Sequence, residues 1–152
     1  MTLPAVPAGT YYLIANADVD DVVAEANETD NLAVKKILVG PDLVASKIAA
    51  VSSLTSTAPI TIRVTTANLG GDSAAASITR LYRSTNGAID AGDTLLKAFS
   101  VPPLGAETSQ VSEVTVMLPK GTYYLIAQVD AGGTVSEVVE TNNLRKAKAI
   151  VP

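Results

Sequence analysis

Pro119-Lys120-Gly121-Thr122-Tyr123-Tyr124-Leu125-Ile126-Ala127, continuing as QVDAGGTVSEVVETNNLRKAKAIV to Val151, decides the fold because it occurs twice. The earlier copy, PAGTYYLIANADVDDVVAEANETDNLAVKKILV, runs from Pro7 to Val39, displaced by 112 residues (Gly9 onto Gly121) without a gap. Gly-Thr-Tyr-Tyr-Leu-Ile-Ala, Asp18/Asp130, Val23/Val135, Glu25/Glu137, Glu28/Glu140, Thr29/Thr141, Asn31/Asn143 and Leu32/Leu144 all coincide. A period this long is too large for a solenoid and suits whole domains in tandem. The expected organisation is a partial repeat over residues 1–39, a linker at 40–41, and a complete domain over 42–152.

Working outward, the complete repeat reads as seven short strands separated by turn signals. That pattern predicts an all-β, immunoglobulin-like, seven-stranded antiparallel β-sandwich of Greek-key type. Strand A is expected over Asp42–Ala50, B over Pro59–Asn68, C over Ala76–Ser84, a fourth strand over Thr94–Val101, E over Ser109–Leu118, F over Thr122–Asp130 and G over Leu144–Val151. In B, Ile60, Ile62, Val64 and Thr66 share one face. In E, Val114, Val116 and Leu118 point inward. The alternation of C breaks near Arg80-Leu81, which suggests a bulge. The partial repeat then holds only F and G, as strands Thr10–Asp18 and Leu32–Val39. Met1–Pro7 aligns with the end of strand E, so the chain is expected to start inside a strand of the preceding repeat.

Composition narrows the function. The chain has 152 residues, a net charge of −4 and no basic block, which argues against a nucleic-acid or anionic-membrane surface. It has neither His nor Cys, so imidazole metal sites, Ser-His and Cys-His pairs, zinc ribbons and disulfides are excluded. No apolar run reaches membrane-span length and no signal peptide is present, so any export signal is expected to have been removed or to lie outside this sequence.

The run YRSTNGAIDAGDTLL (Tyr82–Leu96), the opening Pro41-Asp42-Leu43, Ala67-Asn68-Leu69-Gly70 and the tail Val-x-Glu-x-x-Glu-Thr-Asn-Asn resemble the CARDB family, the cell-adhesion-related domain found in bacteria. The resemblance covers Pro41–Pro152 fully and Pro7–Val39 as a second, partial copy. It implies an immunoglobulin-like module of a secreted or surface-attached prokaryotic protein, serving as a spacer or adhesive unit. It implies no particular ligand.

Three candidate sites stand against plain structural readings. The F–G connection carries Asp130, Glu137, Glu140 and Asn142, echoed by Asp18, Asp20, Asp21, Glu25, Glu28 and Asp30. Loop oxygens of this kind suit Ca²⁺. They equally suit backbone-capping turns, with Gly132-Gly133 permitting positive φ. The loop from Asn86 to Asp93 gathers Asn86, Asp90 and Asp93, again as Ca²⁺ ligands or as a turn held by Asx bonds. It lacks the head Asp and end Glu of an EF-hand loop. The pairs Glu25/Glu28 and Glu137/Glu140 have no second catalytic residue type beside them, so no enzyme is expected. Gly121, Tyr123, Tyr124 and Asn143 are expected to be structural. A tyrosine corner at Leu118–Tyr124 has one tyrosine facing the core and one the surface.

The duplicate hairpin bears on assembly. An isolated hairpin is not independently stable, and it exposes an edge. Strand A begins at the opposite pole from the end of strand G, whereas a Gly-Pro linker spans only about 7 Å. Filling its own domain's F–G slot is therefore disfavoured. Three fates remain: folding against its own domain, staying mobile, or self-association through residues 1–39 as a head-to-tail fibre subunit. Other expected partners are adjacent repeats or a surface protein. No nucleic acid and no membrane insertion are expected.

Overall fold

Ile60, Ile62, Val64, Thr66 and Asn68 alternate with Thr61, Arg63 and Thr65, and the first set is buried while Arg63 is exposed. This period of two makes a strand with one wet face, and it is the middle strand of a three-stranded sheet. The computed structural model describes residues 6–152, so the strand end expected over Met1–Pro7 falls largely outside the described residues. Nine strands are present among the described residues: β1 (Gly9–Asn16), β2 (Leu32–Val39), β3 (Leu43–Ala50), β4 (Ile60–Asn68), β5 (Ser77–Ser84), β6 (Thr94–Val101), β7 (Ser109–Val116), β8 (Gly121–Gln128) and β9 (Leu144–Val151). Each lies within a residue or two of its expected span.

One sheet has the order β3-β4-β7 and the other β6-β5-β8-β9, all pairs antiparallel. The chain changes sheet at β4–β5, β6–β7 and β7–β8, which closes an immunoglobulin-like sandwich. The fourth strand, β6, pairs with β5 through Ser77↔Val101 to Arg83↔Thr94 rather than joining the β3-β4-β7 sheet. The core is filled by Leu43, Ile60, Ile62, Val64, Leu81, Phe99, Val101, Leu118, Leu125, Val129, Ala149 and Val151. Val114 and Val116 pack against it half-buried. Thr66 and Thr79, one from each sheet, satisfy each other's buried hydroxyls at 2.8 Å.

The irregularity expected near Arg80-Leu81 sits between Leu81 and Tyr82, but the extra residue belongs to the partner strand. Leu81 faces Lys97 and Tyr82 faces Leu95, which leaves Leu96 unpaired. A second bulge interrupts the edge strand β3 between Ala45 and Lys47, at Ser46. The Ser46 hydroxyl reaches the Thr65 carbonyl at 3.3 Å.

β1 and β2 form a two-stranded sheet of their own, Gly9↔Val39 to Asn16↔Leu32. Its side chains do not join the sandwich core. Leu13 is 41% and Ile14 66% exposed, whereas their counterparts Leu125 and Ile126 are each 3% exposed. The hairpin thus lies outside the sandwich core and meets its own domain only at its base, where Leu38 approaches Gly71. The two ends of the sandwich lie at opposite poles. The Leu43 amide bonds Glu137 in the β8–β9 connection, and the Pro152 carbonyl accepts from Ser56 beyond the other end of β3.

Candidate functional site

The β8–β9 connection is built on Asp130, whose φ is +40°. Aspartate tolerates this left-handed conformation because its short side chain bonds the local backbone. Its carboxylate accepts from the Thr134 amide (3.2 Å), the Thr134 hydroxyl (3.0 Å) and the Val135 amide (2.9 Å). Its carbonyl accepts from Gly133, which has φ of +57°. The duplicate repeats the device. Asp18, φ +42°, accepts from the Val22 and Val23 amides, and Asp21 takes the left-handed place of Gly133 at φ +52°. The two loops diverge in side chains while keeping one backbone path.

Glu140 and Glu28 likewise do the same work. Each Oε1 accepts from the amide three residues earlier, Glu137 and Glu25, at 2.8 Å. Glu137 differs from its twin. It is buried, and its Oε2 accepts from the Leu43 amide at 2.6 Å while Oε1 accepts from Asn143 at 3.0 Å. Glu25, with no strand A beside it, is exposed. Burial is the main cause that pushes the Glu137 carboxyl up to about 7; the bonds from Leu43 and Asn143 oppose it, and the nearby Glu140 and Asp130 charges add to it. Glu137 thus ties the start of β3 to the connection 94 residues away in sequence.

Two further residues complete this pole, both inside the motifs of the family resemblance and neither expected as a site residue. Asp42, also buried, accepts from Asn142 at 2.8 Å. Asn68 is fully buried at the inward end of β4. Its Oδ1 accepts from the Asp42 and Gly70 amides. Its Nδ2 lies within bonding reach of the carbonyls of Asp72, Leu104 and Gly105. The available signal was an asparagine at an inward place in the alternation of β4, where an apolar residue is the rule.

The Asn86–Asp93 loop leaves the other end of β5. Asn86 Nδ2 donates to Asp90 Oδ2 at 2.6 Å, Gly92 donates to Asp90 Oδ1 at 2.8 Å, and the Asp90 amide donates to Asp93 at 3.1 Å. The bond from Asn86, with that from Gly92, holds the Asp90 carboxyl below its ordinary range. Gly87, φ +79°, lies over the ring of Tyr124, so the loop covers the outer face of β8. The two expected Ca²⁺ sets remain separate. Asn86, Asp90 and Asp93 share one loop, Asp130, Glu137 and Glu140 share another, and every one of these carboxylates accepts internal donors. Among the described residues no three acidic side chains converge to hold a metal ion.

Tyr123 closes the tyrosine corner by donating to the Lys120 carbonyl at 3.1 Å, with its ring packed on the core. Tyr124 is half-buried beneath Gly87 rather than free at the surface. A Cβ at Gly121 would stand 2.7 Å from the Tyr123 hydroxyl, which explains the glycine. Elsewhere, an open groove of about 680 Å³ lies along the outer face of the β3-β4-β7 sheet, lined by Lys47, Arg63, Val111 and Glu113 among others. Arg63 and Glu113 pair across it.

The chain is similar to the CARDB domain of a Pyrococcus furiosus protein solved in complex with di-metal ions, with 26% identity, a TM-score of 0.62, and coverage of 74% of this chain and 94% of that one. It also resembles a domain from Methanosarcina acetivorans, whose parent is named a cell surface protein, with 22% identity, a TM-score of 0.61 and coverage of 75% and 94%. β-Glucosidase 3B of Thermotoga neapolitana shares the fold alone, with 13% identity, a TM-score of 0.50 and coverage of 78% of this chain and 17% of that one. No curated protein matches. The CARDB family's own sequence pattern spans residues 40–147, and the chain belongs to the CARDB family.

Proposed function

We propose that the chain is a non-enzymatic structural and adhesive module of a prokaryotic secreted or cell-surface protein, acting as a spacer or as a protein-contact unit. The observation that carries this reading is where the buried polar groups are directed. Asp42, Asn68, Asp130 and Glu137 each bond the backbone or a neighbouring loop, so the site's chemistry goes into holding a shape. The surface location of the Methanosarcina relative's parent supports it. Antibodies raised against the domain should label intact, unpermeabilised source cells. Labelling that appears only after lysis would sink the reading.

A second reading is a Ca²⁺-braced adhesion domain, for which Asn142 Oδ1 and Asn143 Oδ1 speak. Both are buried acceptors without a donor, close to the Asp42 and Glu137 carboxylates. The di-metal complex of the Pyrococcus relative adds to it. Oxygen donors of this kind suit a hard cation, which would hold the β8–β9 connection against the start of β3. Added Ca²⁺ would then raise the melting temperature by mass action, and a melting temperature unmoved by millimolar Ca²⁺ removes this reading.

A further inference from the structure

We propose that Gly40-Pro41 is a locked joint, and that the pole of the sandwich formed by Gly70, Gly71, Asp72 and Val138 is the socket that holds the base of the hairpin before it. This deepens the spacer reading, and it rests on that reading only for its use. A two-residue Gly-Pro linker would ordinarily be expected to swing about the glycine, which here sits at φ +106°. Every backbone polar group along it is instead engaged. The Gly40 amide donates to Asp72 Oδ2 at 3.0 Å, and the Gly40 carbonyl accepts from the Asp72 amide at 3.3 Å. The Pro41 carbonyl accepts from Val138 at 2.8 Å, and proline has no amide to satisfy. The Asp42 amide donates to Asn68 Oδ1 at 3.0 Å, and its carbonyl accepts from Leu69 at 2.7 Å. Three consecutive residues are thus gripped from the end of β4, the β4–β5 connection and the β8–β9 connection.

Packing closes the joint as tightly as bonding does. A Cβ at Gly71 would stand 2.5 Å from the Leu38 carbonyl oxygen, and one at Gly70 would overlap the Gly40 carbonyl. A Cβ at Gly40 would stand 2.6 Å from the Ala8 methyl and 3.3 Å from Val138. The socket therefore needs two successive glycines so that the backbone of the hairpin can reach it. Ala8 and Leu38, the hairpin residues that meet it, correspond to Lys120 and Ile150 at the far pole of the complete domain. The partner that fits the socket is thus the base of an F–G hairpin, the end of a domain of this same kind. Repeats joined this way keep a fixed angle to one another and behave as a stiff rod, not as beads on a cord.

The chain has no cysteine, so two can be introduced as spin-label sites without background. Lys36→Cys on β2 and Lys97→Cys on β6 are both exposed strand positions that straddle the joint. The full chain should give one narrow distance distribution between the labels. Asp72→Ala, which removes the bond to the Gly40 amide, should at least double its width. Gly71→Val, which collides with Leu38, should shift or broaden it, and because that collision is with the hairpin it serves should Asp72→Ala unfold the domain. A distribution in the parent chain as broad as in the variants, or variants that change nothing, overturns the proposal. Either result would leave surface labelling untouched, so the joint can fail without the module reading failing.

Discussion

Glu137 is an acid held partly against its own charge. Its folded value, pushed up to about 7, lies above the 4.5 of a free glutamate, so the native state binds the extra proton between those pH values. Stability from this group is therefore full below about pH 4.5 and lost as pH rises through about 7. The difference corresponds to at most about 3 kcal/mol. Urea titrations from pH 4.5 to 8 should show this fall in the parent chain and a flatter profile in Glu137→Gln. Equal slopes would mean that another group carries the dependence. Asn68 has the opposite character, a neutral side chain with every capacity used. Asn68→Ala would strand the Asp42 and Gly70 amides in a buried place, at a cost of about 3–5 kcal/mol in the unfolding free energy read from urea titration. A loss under about 1 kcal/mol would show that water replaces the side chain.

At the scale of elements, the two hairpins are an internal control. Tyr123 donates to the Lys120 carbonyl against the core, while Tyr11 donates to the Pro7 carbonyl outside it. Tyr123→Phe should lower sandwich stability by about 1 kcal/mol, and Tyr11→Phe should leave it unchanged. Equal effects would mean that the hairpin and sandwich melt as one. The strands themselves were legible because Ile60 to Asn68 alternates cleanly and the duplication marks β8 and β9. The sheet that β6 joins was not legible, since Thr94–Val101 shows an exposed edge pattern that suits either sheet. Nor was the place of the bulge. Alternation in β5 fades near Leu81, but the inserted residue, Leu96, is on the strand across from it. Sequence records which strand is disturbed, not which one carries the surplus residue.

For the molecule as a whole, the sandwich draws no core residue from the hairpin. A chain beginning at Pro41 should keep its unfolding free energy within about 0.5 kcal/mol. A larger loss would show that the joint at Ala8 and Leu38 supports the domain. Sedimentation of the same pair tests self-association through residues 1–39, proposed here from the exposed Tyr12, Ile14, Leu32 and Val34. Association of the full chain alone supports it, and identical behaviour removes it. The candidate site was half legible. The acidic residues of the β8–β9 connection could be listed from the duplication, and residue type left turn capping and Ca²⁺ binding both open for them. The contact from Glu137 to Leu43 could not, because it joins points 94 residues apart and exists only once the sandwich closes.

The Ser46 bulge has a bearing on life in a crowd. β3 is an outer strand with no strand along its outer side; Glu137 holds the Leu43 amide at its start, and the bulge breaks the rest of the row in its middle, with Lys47 just beyond it. An alien strand could zip along only half of it before losing register. Copies of the domain can therefore crowd together at high concentration without gluing into sheets.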